Sequence, residues 1–352
     1  MALSSSHRND VPPSVVIRGS GLALPPLAFS NEDICNWHGR KDPAWVYETF
    51  GVKTRHTRYD YRNDRLDELD EDDLAFEAGQ RALKDAGMTI RDIQMIIFVT
   101  LTPTSQCTPD PACVLHKRLG ASANVLALTH VAGCAGPLNA MMMGSALIRA
   151  GQARNILICC ASSLSSFNRP DLKKRIWLLS TIFGDGAGAL VLSGERTPEP
   201  CGFSTFYMHT EPELDVVHKK FGGSKHPPTP DNFNEVMADY YSVDYRAVPK
   251  NLLHAFTRSH AEVLGDCGLK STDWVLFNMS NAQHQRRWLQ GMGIPEERSF
   301  FNMEHHGNCA AASLALVLHD FLHAGRHKSG DTVSLLCVGT GLQSGGVFYR
   351  FP

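Results

Sequence analysis

Gly133-Cys134 opens a stretch of small and apolar residues that closes on Ala150-Gly151, and Gly307-Asn308 opens a second that closes on Ala324-Gly325. Cys134 to Gly151 is 17 positions, and Asn308 to Gly325 is again 17. Each stretch has a glycine stop suited to a helix. Each is followed by a β-rich run, Asn155-Ile156-Leu157-Ile158-Cys159 in one case and Val333-Ser334-Leu335-Leu336-Cys337 in the other. A second pairing precedes these. Ala82-Leu83-Lys84-Asp85-Ala86-Gly87 parallels Val263-Leu264-Gly265-Asp266-Cys267-Gly268. An aspartate follows five residues after each last glycine, Asp92 or Asp273, and then an apolar run, Met95-Ile96-Ile97-Phe98-Val99 or Trp274-Val275-Leu276-Phe277. Continuous runs of this kind suit strands covered on both faces. Two matches in the same order argue for two related α/β halves, residues 14–195 and 196–352.

The remaining segments are placed around that repeat. Ser14 to Arg18 reads as the first strand, ending in Gly19-Ser20-Gly21, and residues 1–13 read as a loose tail. Asp73 to Gly87 reads as a helix from its acidic start, its apolar spacing and its glycine stop. Residues 201–250 break the pattern. Pro227-Pro228-Thr229-Pro230 is a loop there, and the segment is expected to be an insertion near an active-site mouth.

Composition narrows the function. The chain has 352 residues, 43% hydrophobic and 20% charged, which excludes a disordered or fibrous protein. A net charge of −2 gives no support for nucleic-acid binding. No run approaches the length of a membrane span, and the polar start lacks the apolar core of a secretory signal. Ten cysteines are too sparse for a disulfide scaffold. The expectation is a reduced cytoplasmic protein whose thiols are mostly buried as small hydrophobes.

Cys134 is the leading candidate for chemistry. It stands among small residues, Val131-Ala132-Gly133-Cys134-Ala135-Gly136, just before a helical pattern. A helix N-terminus lowers a thiol pKa and offers backbone N–H groups to an oxyanion. A nucleophile there can attack a thioester and hold an acyl group, although any of the ten cysteines can equally be a buried hydrophobe. Asn308 takes the equivalent place in the second half, where it can donate to a carbonyl oxygen or simply cap a helix. Phe183-Gly184-Asp185-Gly186-Ala187-Gly188-Ala189 lacks a phosphate-loop lysine and leads into a strand, so it reads as a tight backbone crossing near an active site. Gly339-Thr340-Gly341 and Gly345-Gly346 read as a second such loop. His319, His323 and His327 fall four apart, but no cysteine lies at ligand spacing, so no metal is expected. Arg286-Arg287 and Lys173-Lys174-Arg175 are short basic clusters, either solvated surface or a seat for an acidic partner or a cofactor phosphate.

Taken together these motifs resemble the thiolase-like superfamily, and within it the ketoacyl synthase III branch. The run 183–189 is similar to the family's glycine signature. The segment 131–136 is similar to its nucleophile segment. Gly307-Asn308-Cys309-Ala310-Ala311-Ala312-Ser313 is similar to its Gly-Asn-Thr-Ser-Ala-Ala-Ser segment. The resemblance implies a thiolase-like fold with mostly parallel sheets between helices, a homodimer, and condensing or acyl-transfer chemistry through an acyl-enzyme on Cys134. It implies no permanently bound cofactor, with acyl-coenzyme A or an acyl-carrier-protein phosphopantetheine as substrate. Asp42-Pro43-Ala44-Trp45 is similar to the family's short acidic segment, which implies that Trp45 stacks on the adenine of coenzyme A. Gly339 and Gly341 belong to the loop expected to help hold the oxyanion and substrate.

The resemblance also has gaps. The family uses a Cys-His-Asn set, and its His-Gln-Ala-Asn segment aligns with Asn278-Met279-Ser280-Asn281. Asn278 can donate a hydrogen bond but cannot carry charge or shuttle a proton. Decarboxylative condensation is therefore weakened, or His306 or His284 substitutes, or the chain is a non-catalytic subunit that pairs with an active homologue. Cys337-Val338-Gly339-Thr340-Gly341 is similar to a thiolase run in which the cysteine acts as base; Cys337 is a candidate base or a buried strand residue. Thr49 replaces the family's arginine after Trp45, which favours a carrier-protein donor met by Arg286 and Arg287. Asn278 and Asn308 are expected to polarise the second substrate, in specialised polyketide or fatty-acid-derived metabolism.

Overall fold

Apolar runs without polar alternation need cover on both faces, and the computed structural model supplies it. It describes residues 12–101, 108–214, 217–219, 224–238, 242–243, 248–278 and 280–352. The principal elements of the first half are β1 (Ser14–Ala23), α1 (Pro43–Phe50), α2 (Glu71–Asp85), β2 (Met95–Thr100), β3 (Leu126–Val131), α3 (Gly136–Arg149), β4 (Asn155–Ser162), α4 (Lys173–Ile182) and β5 (Gly186–Glu195). Those of the second are β6 (Gly202–Thr210), α5 (Val248–Asp266), β7 (Trp274–Phe277), α6 (Ala282–Gly291), α7 (Ser313–His323), β8 (Thr332–Gly339) and β9 (Gln343–Arg350).

The first sheet runs β1-β5-β4-β2-β3 and the second β6-β9-β8-β7. β2 pairs in parallel with β3 and β4, and β7 with β8. β8 and β9 pair antiparallel across a short connection, and β4 and β5 pair antiparallel although 23 residues including α4 separate them. The order α3-β4-β5 in one half therefore recurs as α7-β8-β9 in the other, as the equal spacings predict. Beyond β7 a lone parallel bridge, Val275 to Ser299, stands where the first sheet has β3.

Three layers of side chains hold the sheets together. Leu138, Met141 and Ile148 of α3 share one core with Leu314, Leu318 and Phe321 of α7 and with strand residues of both sheets. The two helices are thus sandwiched between the sheets. Leu74, Ala78 and Ala82 of α2 cover the outer face of the first sheet with Ile96 and Phe98. Phe256, Trp288 and Leu289 of α5 and α6 cover the second with Val275 and Phe277. Each large apolar side chain buried in this way contributes about 1.5–3 kcal/mol. Among the described residues no helix is long and apolar enough to cross a membrane.

Several boundaries differ from the sequence reading. β1 does not stop at Gly19 but continues to Ala23, because the glycines there let α2 cross it; a Cβ on Gly21 would stand 2.1 Å from the Ala78 carbonyl oxygen. Residues 202–210 are no insertion. They form β6, an edge strand paired with β9, whose half-exposed residues hide its apolar pattern. The true break lies between β6 and α5, partly outside the described residues, and so does the tail up to residue 11. Gly345-Gly346 is not a loop but part of β9.

Candidate active site

The segment leading to Cys134 leaves the edge strand β3 and turns at once, with the Gly136 N–H donating to the Gly133 carbonyl at 2.8 Å. Pro137 then sets the first turn of α3. Cys134 therefore stands at the start of a central helix, as its sequence context predicts. The 339–341 loop lies directly against it. A Cβ on Gly339 would meet the Ala135 nitrogen at 2.5 Å and the Cys134 nitrogen at 3.1 Å, and one on Gly133 would meet Thr340 Oγ1 at 2.6 Å. Gly341, at φ +126°, turns the chain from that loop into β9.

The thiol chemistry departs from expectation. Burial pushes the Cys134 thiol up to about 11, against the opposing pull of its own backbone N–H. The helix start does not make it a ready thiolate. Cys337 is fully buried, burial holds its thiol well above the ordinary value, and its Sγ donates to the Cys134 carbonyl at 2.7 Å. Of the two readings of Cys337, the structure shows the buried strand residue, bracing the segment that carries Cys134.

Asn308 is set by the glycine run. Its N–H donates to the Ile182 carbonyl at 2.8 Å, and the Gly184 N–H donates to the Asn308 carbonyl at 3.1 Å. Gly184 has no room for a side chain, since a Cβ would stand 2.1 Å from the His306 carbonyl oxygen. Gly188 would likewise meet Ala315 Cβ at 2.7 Å. The run 183–189 is thus the backbone crossing that its sequence suggests. Asn308 Oδ1 accepts from the Ala310 N–H at 2.8 Å and from Ser313 Oγ at 2.9 Å. Both bonds fall on one side of the planar amide, so Nδ2 is directed away from them as a donor. The 310–312 turn packs against α3, which brings the Asn308 segment to the helix of Cys134.

The other candidate residues fare differently. Asn278 is fully buried; its Nδ2 donates to the Val338 carbonyl at 3.1 Å and its Oδ1 accepts from the Val338 N–H at 2.9 Å. It extends the β7–β8 ladder and seats the strand end that carries Gly339, so the expectation that it faces a substrate is corrected. His306 Nε2 lies 3.0 Å from Asp320 Oδ2, and its Nδ1 is buried without a partner. Burial acts to raise the Asp320 carboxyl, but the bonds from His306 and Asn302 outweigh it and hold the group below its ordinary value. His306 is thus tied to α7 through Asp320. His284 packs on Trp288 with ring centroids 5.9 Å apart and Nδ1 buried; burial first, and Arg287 second, lower its pKa.

The proposed cofactor contacts gather on two touching helices, α1 and α6. Asp42 caps α1 by accepting from the Trp45 N–H at 3.0 Å, and Asn281 Nδ2 of the α6 cap donates to the Thr49 carbonyl at 3.2 Å. Trp45 is half-buried and stacks on Trp177 of α4, with centroids 6.1 Å apart and planes at 19°. Arg40 covers Trp177 at 5.3 Å. Arg286 Nε donates to Glu296 at 2.9 Å and the guanidinium lies over Phe301, whereas Arg287 is exposed. His319 and His323 are engaged by Ser20 and Asp85, and among the described residues no cluster is arranged to hold a metal.

Sequence reasoning missed Arg55. It is fully buried, donates to Asn31 Oδ1 at 2.8 Å and the Thr181 carbonyl at 2.7 Å, and lies under the Gly184–Gly307 crossing. Burial lowers it to about 10, which leaves it a cation at neutral pH. Nothing in its sequence surroundings marks it. Asp185 was read only as part of the glycine run; buried there, it accepts from the N–H groups of Arg58 and Ser165.

Two outcomes are expected. Because the thiolate fraction falls tenfold for each pH unit below about 11, iodoacetamide alkylation of Cys134 should rise roughly tenfold per unit from pH 7 to 10, read by peptide mass spectrometry. A plateau below pH 8 would contradict this. Asn278→Ala should orphan two buried backbone groups at about 1–3 kcal/mol each. Asn278→His cannot both donate to and accept from Val338 and should also lose stability in urea titration; an unchanged midpoint would contradict the ladder role.

The geometry can be set beside known proteins. The family description 3-oxoacyl-[acyl-carrier-protein (ACP)] synthase III matches residues 130–212, and its C-terminal counterpart matches residues 266–351. A beta-ketoacyl-[acyl-carrier-protein] synthase III of Clostridium perfringens is 30% identical over 335 residues, 94% of this chain and 98% of that one. One of the same name from Rhodopirellula baltica is 29% identical over 357 residues, 96% and 98% of the two chains. The crystal structure of 3-oxoacyl-[acyl-carrier-protein] synthase III from Aquifex aeolicus superposes with a TM-score of 0.82 at 25% identity, covering 96% of this chain and all of that one. Likeness of this extent, running through both halves, shows that the protein belongs to the ketoacyl synthase III family of thiolase-like condensing enzymes.

Proposed function

We propose that the protein takes an acyl group from a thioester onto Cys134 and passes it to an acceptor. The observation that carries this reading is the backbone contact between Cys134 and the 339–341 loop. In this reading N–H groups of the two segments hold the oxyanion, as a tetrahedral intermediate requires. The Cys134 proton leaves, Sγ bonds to the acyl carbon, and the donor's C–S bond breaks as its sulfur takes a proton. Asn308 Nδ2 then donates to the acceptor's carbonyl oxygen. No imidazolium helps at position 278, where the amide is committed to Val338. We therefore place the enzyme in specialised metabolism and not in routine chain initiation.

A carrier protein fits better than coenzyme A as donor. The Trp45 ring already lies on Trp177, Thr49 brings no charge, and exposed Arg287 can meet an acidic carrier. A second copy of the chain fits the outer edge of β3, where Leu126 is 61% and Val131 74% exposed. A long apolar strand edge left open invites pairing. The raised Cys134 thiol favours one rival, a non-catalytic subunit that keeps the fold.

Intact mass after incubation with acyl thioesters on coenzyme A and on carrier protein decides between them. The expected result is a mass gain, faster from the carrier and absent in Cys134→Ala. No gain from any donor would favour the subunit.

A further inference from the structure

Three polar side chains meet beside Cys134 that no step above uses. His130 comes from β3, the strand that enters the nucleophile turn. Asn139 lies in the first turns of α3, which leaves it. Gln343 opens β9, after the loop that packs on it. Asn139 Nδ2 donates to His130 Nε2 at 3.2 Å and to Gln343 Oε1 at 3.1 Å. Alternation along β3 turns His130 to the same side as Leu128, toward the central core and α3. Its ring carbon Cδ2 lies 3.9 Å from where a Cβ on Gly136 would stand, two residues beyond Cys134.

The hydrogen bonds fix the chemistry of this cluster. An amide nitrogen only donates, so with Asn139 in this orientation His130 Nε2 must accept, and the ring proton sits on Nδ1. Burial keeps the ring neutral by lowering its pKa. His130 Nδ1–H and the Gln343 Nε2–H groups then remain as donors with no bond to another described residue. Both side chains are half-buried, and on the His130 side Val99 and Ala132 crowd the start of α3 at Gly136. A plain alkyl chain against them would strip water from donors and offer nothing back. A chain carrying an oxygen at that depth would accept from them.

We propose that the acyl group held by Cys134 carries a hydroxyl or keto oxygen within its first few carbons, bound by His130 and Gln343. The proposal rests on the acyl-enzyme reading and names its substrate class. It is a specificity subsite, and it takes no part in bond making.

Binding of pantetheine thioesters to the Cys134→Ala protein tests the subsite without acyl transfer. Butyryl, 3-hydroxybutyryl and acetoacetyl pantetheine are compared by calorimetry, with His130→Val and Gln343→Leu as two separate variants checked for folding. The oxygenated thioesters should bind about five- to tenfold more tightly than butyryl, as one or two hydrogen bonds give. That ratio should fall toward one in either variant that folds. The His130 ¹⁵N signals should show the Nδ1–H tautomer and shift with the oxygenated ligands only. Equal affinities, a preference that survives both variants, or no binding of any thioester would overturn the subsite. A binding preference in a protein whose Cys134 takes no acyl group would instead overturn acyl transfer and leave the subsite standing.

Discussion

The structure turns on one contact between backbones. The turn at residues 133–135 and the loop at 339–341 lie so close that a Cβ on Gly339 would stand 2.5 Å from the Ala135 nitrogen, while Gly133 faces the Thr340 hydroxyl. The contact joins the two halves, since the first segment starts α3 and the second ends β8. Both α3 and α7 lie between the sheets in one shared core, so the geometry is fixed from two sides. Three further devices keep the loop in place. Asn278 pairs with Val338, Cys337 donates to the Cys134 carbonyl, and the glycine run at 183–189 seats the Asn308 segment against α3.

Charge is sparse around the proposed nucleophile. Desolvation raises the thiol of half-buried Cys134, and both candidate histidines are engaged by protein neighbours, His306 by Asp320 and His284 by Trp288. In the proposed reaction, stabilisation of a developing oxyanion falls to neutral donors fixed in advance. The same scarcity makes the polar cluster of His130, Asn139 and Gln343 stand out.

Much of this was legible in the sequence. The equal spacings from Cys134 and Asn308 to their closing glycines correspond to α3 and α7, and the alternating glycines at 184, 186 and 188 do mark a crossing. Three things were not. β6 was hidden because an edge strand exposes half its residues and loses the continuous apolar signal. The part played by Asn278 was hidden because an amide that serves a substrate and one that serves a neighbouring strand look alike in sequence. The Cys134 pKa was hidden because a helix start lowers it and burial raises it, and only the packed structure shows which is larger.

The most direct test of this account is a crystal structure of the protein after reaction with an acyl thioester. The account predicts continuous density from Cys134 Sγ, with the acyl oxygen within hydrogen-bond distance of N–H groups from both the Cys134 turn and the 339–341 loop. An acyl group on another residue, or an acyl oxygen turned away from that junction, would contradict it.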